Sequence, residues 1–378
     1  MRRTSSTLIA ITIVLLALGL VILASVSSVR GDASYGDPYY FIKRQLVWLL
    51  LSLAIGTCVT MFDYHRWQDM ALPLAIIGLL ALVVVAIPGI GSKIGGSRRW
   101  LRLGPVSVQP SECVKFIMVV SMSAWLSMAG RKVSNFVEGM VIPSAGLLVM
   151  LLLLMLEPDF GSTILIGAVA MVLMFVAGTR LSYLVTAGTL GFCTLAIAIM
   201  MNSNRWERVL ALLDPGAHPE VSYHLTQSKI AFMLGGLYGK GLGGGIQKYL
   251  YLPEAHTDFI FAIIGEELGF VGTCSVAMLF LGLLACGIAI SYNAPDLFGR
   301  LLGLGLTLMV VVQAAINIGV VTGCLPTKGI TLPFISYGGS SLVMSVVCVG
   351  VLLNIARHCL SGEDDRHRIV KDIAHDNL

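Results

Sequence analysis

Apolar runs long enough to cross a bilayer recur along this chain from one end to the other, and that recurrence leaves few folds open. About twenty apolar residues, wound as a helix, match the hydrocarbon thickness of a membrane. In hydrocarbon every backbone amide needs an internal partner, so such runs must be helices packed on one another. Ten spans are predicted, over 7–29, 45–62, 70–88, 112–129, 139–156, 160–178, 182–201, 258–292, 301–321 and 339–357. With 56% hydrophobic and 12% charged residues in 378, little remains to build a soluble domain. The expected fold is all-α, a polytopic bundle occupying 1–357, with a C-terminal tail at 358–378. The first run ends in Ser-Ser-Val-Arg-Gly, a poor cleavage site, so it is expected to stay as a helix. The eighth is long enough to project from the bilayer or to tilt strongly.

Loop lengths are unequal between the two faces. Segments 63–69, 130–138, 179–181 and 293–300 are short. On the other face 30–44, 89–111 and 322–338 are longer, and 202–257 is by far the longest. A loop of that length usually carries function. An even number of spans puts both termini on one side. Cations mildly favour that side as cytoplasmic, because long loops count little in the positive-inside rule. The cations of the loop-rich face, among them Arg44, Arg98, Arg99, Arg205, Arg208 and Lys328, then need another purpose, and an anionic ligand supplies one. They are scattered between spans, which argues against nucleic acid. The eight cysteines and seven histidines show no metal-ligand spacing.

Against this background Asp258 stands out, in Glu254-Ala255-His256-Thr257-Asp258-Phe259 where a polar loop meets the eighth span. It either caps that helix or serves as a general base whose pKa burial raises toward neutrality. Glu266 and Glu267 lie about two turns deeper and read as structural polar contacts. Gln109-Pro110-Ser111-Glu112-Cys113-Val114-Lys115 opens the fourth span. Its Glu112 and Lys115 share a helix face, either as a self-neutralising pair or as the wall of a polar cavity. Arg98 and Arg99, just before Trp100, either meet lipid phosphates or join Arg44 in clamping a pyrophosphate. Asp159, after the helix-breaking Pro158, is placed to cap the next helix. The glycines of 235–245 fail as a phosphate loop, because Gly239-Lys240 is followed by Gly241 rather than Ser or Thr. Segment 325–341, with two prolines and three glycines by Gly339, is expected to line a cavity as re-entrant backbone.

Taken in order, the motifs at 96–100, 109–115, 157–162, 204–215, 227–245, 253–269 and 325–341 resemble the SEDS family of bacterial cell-wall proteins (shape, elongation, division, sporulation). The resemblance covers nearly the whole chain. Leu-Pro-Thr-Lys-Gly at 325–329 and Glu-Ala-His-Thr-Asp at 254–258 look like division members. His224 and the stretch 215–219 depart from the family pattern. The resemblance implies a ten-helix fold in the bacterial cytoplasmic (inner) membrane at the septum, with both termini cytoplasmic and the long loop outside. It implies a peptidoglycan glycosyltransferase acting on lipid II and on glycan carried by undecaprenyl pyrophosphate. Its partners would be a class B penicillin-binding transpeptidase, other division proteins and membrane lipid. Asp258 matches the essential acid, and Arg44, Glu112, Lys115 and Asp159 match polar cavity positions. The same motifs nominate Arg98, Trp100, Gln109, His256, Thr257, Lys328 and Ser336 as substrate contacts.

No cofactor is fixed by the sequence; a bound divalent cation such as Mg2+ could stabilise the pyrophosphate, as Arg44, Lys115 or Arg98 could. Composition alone suits two rivals equally: a flippase moving lipid II across the membrane, and a non-catalytic scaffold that recruits a transpeptidase.

Overall fold

The computed structural model describes the backbone of residues 1–94, 97–104, 106–249 and 251–375. Side chains are described over the same ranges except at 34, 93–94, 97–98, 103, 106 and 361–375. In chain order the elements are α1 (Arg2–Tyr35), α2 (Tyr40–Met61), the short α3 (His65–Asp69), α4 (Ala71–Ala86), a small sheet of β1 (Gly91–Ile94), β2 (Ser97–Leu103) and β3 (Val106–Val108), then α5 (Pro110–Ala129), α6 (Ile142–Leu156), α7 (Phe160–Ala177), α8 (Leu181–Met200), α9 (Ser203–Leu213), α10 (Pro219–Gly235), α11 (Ile260–Tyr292), α12 (Leu297–Val321) and α13 (Gly339–His375).

Every predicted span falls on a helix. Among the described residues nine helices are long and apolar enough to cross a membrane, and the expected span at 70–88 is α4, a shorter apolar helix of 16 residues. This is a multi-pass membrane protein. Its last helix outruns the predicted boundary at 357 and continues to His375. Helices α5, α12 and α13 occupy the centre, with α2 packed along α13 and α4 along α5. Helix α8 is exposed along nearly its whole length, with Val185, Leu190 and Phe192 facing outward. Lipid solvates such a surface as well as protein does.

The longer loops of one face are folded rather than plain. Segment 89–111 holds the antiparallel sheet, in order β1-β2-β3, with Ser92 opposite Trp100 and Leu101 opposite Val108. Segment 202–257 holds α9 and α10. Helix α9 is amphipathic, with Arg205 and Arg208 one turn apart on it.

Helix α11 is broken within its length. Gly269 takes φ 66° and ψ −163° inside it, a conformation open to glycine and strained for other residues. The break frees backbone groups, and the segment after α10 satisfies them. Lys240 and Gly241 N–H groups donate to the Glu266 and Glu267 carbonyls at 3.0 Å each. In return Phe270 and Val271 N–H groups donate to Gly236 and Leu237 at 2.9 and 3.1 Å. Irregular backbone within a bundle persists only where protein or water satisfies it. Buried Glu266 and Glu267 fasten the same glycine-rich segment. The Glu266 carboxylate accepts from Ile246 N–H at 2.7 Å and Gln247 N–H at 3.0 Å. Glu267 pairs with buried Lys248 at 2.9 Å and accepts from Ser25 Oγ of α1 at 2.6 Å.

Candidate active site

Four segments distant in sequence meet at the loop-rich end of the bundle: strand β2, the α6–α7 junction, helix α9 and the stretch 326–329. Together they line an open cavity of about 360 Å³. Arg99, Arg205, Arg208 and Lys328 bring four cations to its wall, against the single carboxylate of Asp159. Arg99 sits at an irregularity of β2: Trp100 pairs with Ser92 and Arg98 with Lys93, which leaves Arg99 outside the β1–β2 register. Arg205 stacks its guanidinium over Phe160, 3.7 Å from the ring centroid. Arg208 reaches the Thr327 carbonyl at 3.4 Å.

Asp258 abuts this wall through Gly329. A Cβ at Gly329 would lie 2.8 Å from Asp258 Oδ2 and 3.8 Å from an Arg99 guanidinium nitrogen, so only glycine lets the carboxylate and the cavity meet. Asp258 does not cap α11. The N-cap is Phe259, without a side-chain hydrogen bond. Among the described residues none donates a hydrogen bond to the Asp258 carboxylate, whereas its backbone is tightly held. Buried Asn317 of α12 donates from one amide nitrogen to the Asp258 carbonyl at 2.8 Å and to the Ile330 carbonyl at 2.6 Å. Ser336 Oγ donates to the Thr257 carbonyl at 2.7 Å while accepting from Leu332 N–H at 2.8 Å. Tyr337 N–H donates to the His256 carbonyl at 2.9 Å. The predicted re-entrant stretch therefore clamps the 256–258 turn. Both segments carry a non-glycine residue in the left-handed region, Glu254 at φ 53° and Phe334 at φ 67°. Such strain persists only where the surroundings enforce it.

Electrostatics follow from this burial. Desolvation pushes the Asp258 carboxyl up to about 7, helped by Glu254 and Asp159 and opposed by Arg99. Desolvation also pulls the Lys328 ammonium down to about 8, against the attraction of Asp159. Glu157 is buried with neither carboxylate oxygen hydrogen-bonded, and burial raises it to about 8, so it is protonated at neutral pH. His256 is buried between Phe41 and Tyr337, and desolvation lowers it to about 4, so its ring is neutral.

The predicted residues divide into groups. Asp159 and Lys328 line the cavity, and Asp258 adjoins it. Asp159 is also the expected cap of α7, accepting from Ser162 N–H at 3.1 Å and Ser162 Oγ at 2.9 Å. His256, Thr257 and Ser336 shape the turn. Glu112 and Lys115 form an ion pair of 2.8 Å in the bundle interior, and Lys115 also donates to Gln313 at 2.6 Å, so they neutralise each other away from the large cavity. Gln313 passes the connection on to the Thr331 carbonyl at 3.0 Å. Gln109 holds the start of α5, its N–H on Ser340 Oγ at 3.1 Å. Arg44 is exposed and stacks on Tyr40 beside Tyr337, outside the cavity wall. Trp100 is not in that wall either, and the side chain of Arg98 lies outside the described residues. Arg99, read as a pyrophosphate clamp, and Arg205 and Arg208, read as cations awaiting an anionic ligand, line the cavity, whereas Asn317, which holds the Asp258 backbone, was not singled out.

Comparison with known proteins places this geometry. Residues 6–360 match the FtsW/RodA/SpoVE family, described as "Cell cycle protein". A probable peptidoglycan glycosyltransferase FtsW from Trichlorobacter lovleyi is 40% identical over 351 residues, 92% of each chain. Stage V sporulation protein E of Bacillus subtilis is 40% identical over 354 residues, 93% of this chain and 96% of its own. Among solved structures, a chain of a peptidoglycan synthase complex that coordinates polymerization and crosslinking superposes with a TM-score of 0.78 at 30% identity, covering 93% of this chain and 97% of that one. Rod shape determining protein RodA of Thermus thermophilus superposes at 0.69 with 28% identity, over 93% and 95%. The chain therefore belongs to the FtsW/RodA/SpoVE family, whose FtsW members at about 40% identity are named peptidoglycan glycosyltransferases.

Proposed function

We propose that this chain polymerises lipid II into glycan strands during division, with Asp258 as general base. The observation that carries this reading is the juxtaposition at Gly329: a carboxylate poised near neutral pH beside a cavity with four cations. The acceptor is the GlcNAc 4-hydroxyl of one lipid II. Asp258 takes its proton as the oxygen bonds to the anomeric carbon of the donor glycan. The bond from that carbon to undecaprenyl pyrophosphate breaks, through an oxocarbenium-like transition state of the kind glycoside chemistry uses. A single displacement inverts the anomeric centre. The departing pyrophosphate needs positive charge rather than a second acid, and Arg99, Arg205, Arg208 and Lys328 supply it. Neutral Glu157 adds no negative charge beside that of Asp159.

The cavity then opens to the outer face, with both termini cytoplasmic and the enzyme at the septal inner membrane. A class B transpeptidase is the expected partner, supported by the likeness to a synthase complex that polymerises and crosslinks. Purified protein in liposomes with lipid II distinguishes the readings. Polymer formation supports the enzyme, and lipid II crossing the bilayer with no polymer, with or without the transpeptidase, would make it a flippase.

A further inference from the structure

The opposite end of the bundle carries a cluster that the reaction does not use. Helix α11 runs from the Asp258 turn at one end to Asp296, at the start of α12, at the other. There the turn after α2, the start of α3 and the middle of α13 bring Asp63, His65 and His358 together, with one potential ligand atom from each lying within 4.8 Å of the other two. Asp63 Oδ1 is 2.8 Å from His65 Nδ1 and 3.7 Å from His358 Nε2. In a tetrahedral Zn2+ site, with bonds of about 2.0–2.2 Å, neighbouring ligand atoms stand about 3.4 Å apart. The two observed separations bracket that value.

A contact outside the trio fixes the orientation of His358, and a carboxylate lies near the second nitrogen of His65. His358 Nδ1 lies 3.0 Å from the Asn354 carbonyl. A carbonyl only accepts, so Nδ1 carries the proton and Nε2 presents its lone pair toward Asp63. His65 turns Nδ1 to Asp63 and Nε2 toward Asp296 at 3.6 Å. Asp296 is itself held, accepting from the Tyr64 hydroxyl and from Gly299 N–H at 2.9 Å. An imidazole whose second nitrogen donates to a carboxylate or a backbone carbonyl is the usual arrangement around a bound metal. His358 has it, and His65 has the Asp296 carboxylate close to its second nitrogen, at 3.6 Å. Asp63 and His65 are about half exposed, 47% and 48%, so a fourth position is open to water.

We propose that Asp63, His65 and His358 form a binding site for a divalent transition metal, with Zn2+ as the probe. Paired imidazoles favour such an ion over Mg2+ or Ca2+, which take oxygen ligands. The ion would pin the α2–α3 turn to the middle of α13 and, through Asp296, to the start of α12.

The test is Zn2+ and Co2+ titration of the intact, tag-free protein in detergent, read by calorimetry and by the visible spectrum of Co2+. One equivalent should bind, raise the thermal midpoint and release protons. His65→Ala and His358→Ala should each abolish that binding, and Asp296→Asn should weaken it about 10–100-fold. Absence of saturable binding by the unmodified protein would overturn the site, independently of how any variant folds. So would undiminished binding in the variant carrying both His65→Ala and His358→Ala.

Discussion

At Asp258 two requirements are met by one environment. A base must be ionised to accept a proton, and it must hold that proton well enough to be useful near neutrality. Desolvation puts its midpoint at about 7, while the Lys328 ammonium gives up its proton near about 8. Polymerisation should therefore follow a bell in pH, rising as Asp258 ionises and falling as Lys328 neutralises, with the apparent midpoints belonging to the coupled site. Lys328→Arg keeps the cation at all accessible pH and should remove the falling limb, which initial rates across pH will check. The same shift has a consequence for stability. Asp258 has a folded pKa raised above its ordinary 3.8. Its contribution to stability is full below about pH 4 and lost as pH rises through about 7. Asp258→Asn should therefore melt higher than the parent at mildly alkaline pH, by on the order of a few kcal/mol, and approach it in acid. Thermal unfolding at both pH values tests the sign.

Among the elements, broken helix α11 carries the most information. Gly269→Ala would place a Cβ 2.3 Å from Gly239 N, in a left-handed conformation. That substitution should cost at least about 1–3 kcal/mol and loosen the 236–248 segment, visible as faster amide exchange there. Lys248→Ala would leave Glu267 buried without its cation, and loss of one partner of such a pair costs about 3–5 kcal/mol. The double change Lys248→Met with Glu267→Gln should be milder than Lys248→Ala, a comparison that melting curves provide. The structural role of Glu267 was legible beforehand, but neither the break nor its partner Lys248 was. One glycine among 41 does not announce a positive φ, and the backbone groups that satisfy it come from a segment about thirty residues away. Sequence periodicity reports a residue's neighbours along its own element, not those across the bundle.

Over the whole molecule, legibility follows the range of the interaction. The spans were readable because apolar length is a local property, and each of the ten falls on a helix. Asp258 was readable as an acid where a loop meets a span. The cavity was not, because it gathers Arg99, Asp159, Arg205 and Lys328 from four separate segments. Of Arg98 and Arg99, read together as a clamp, Arg99 lines the wall and the side chain of Arg98 lies outside the described residues. Short α4, of 16 residues, is the element on which membrane topology turns. If it crosses, reporters fused to the two termini will occupy the same compartment, and opposite compartments would show that it does not.

Comparing purified parent and Asp258→Asn protein for lipid II binding and for glycan polymer addresses the catalytic role most directly. The expected result is retained lipid II binding with polymerisation reduced by about 10²–10⁴-fold, the range a positioned general base supplies. Polymer made by Asp258→Asn at the parent's rate would contradict the assignment of the proton transfer to Asp258.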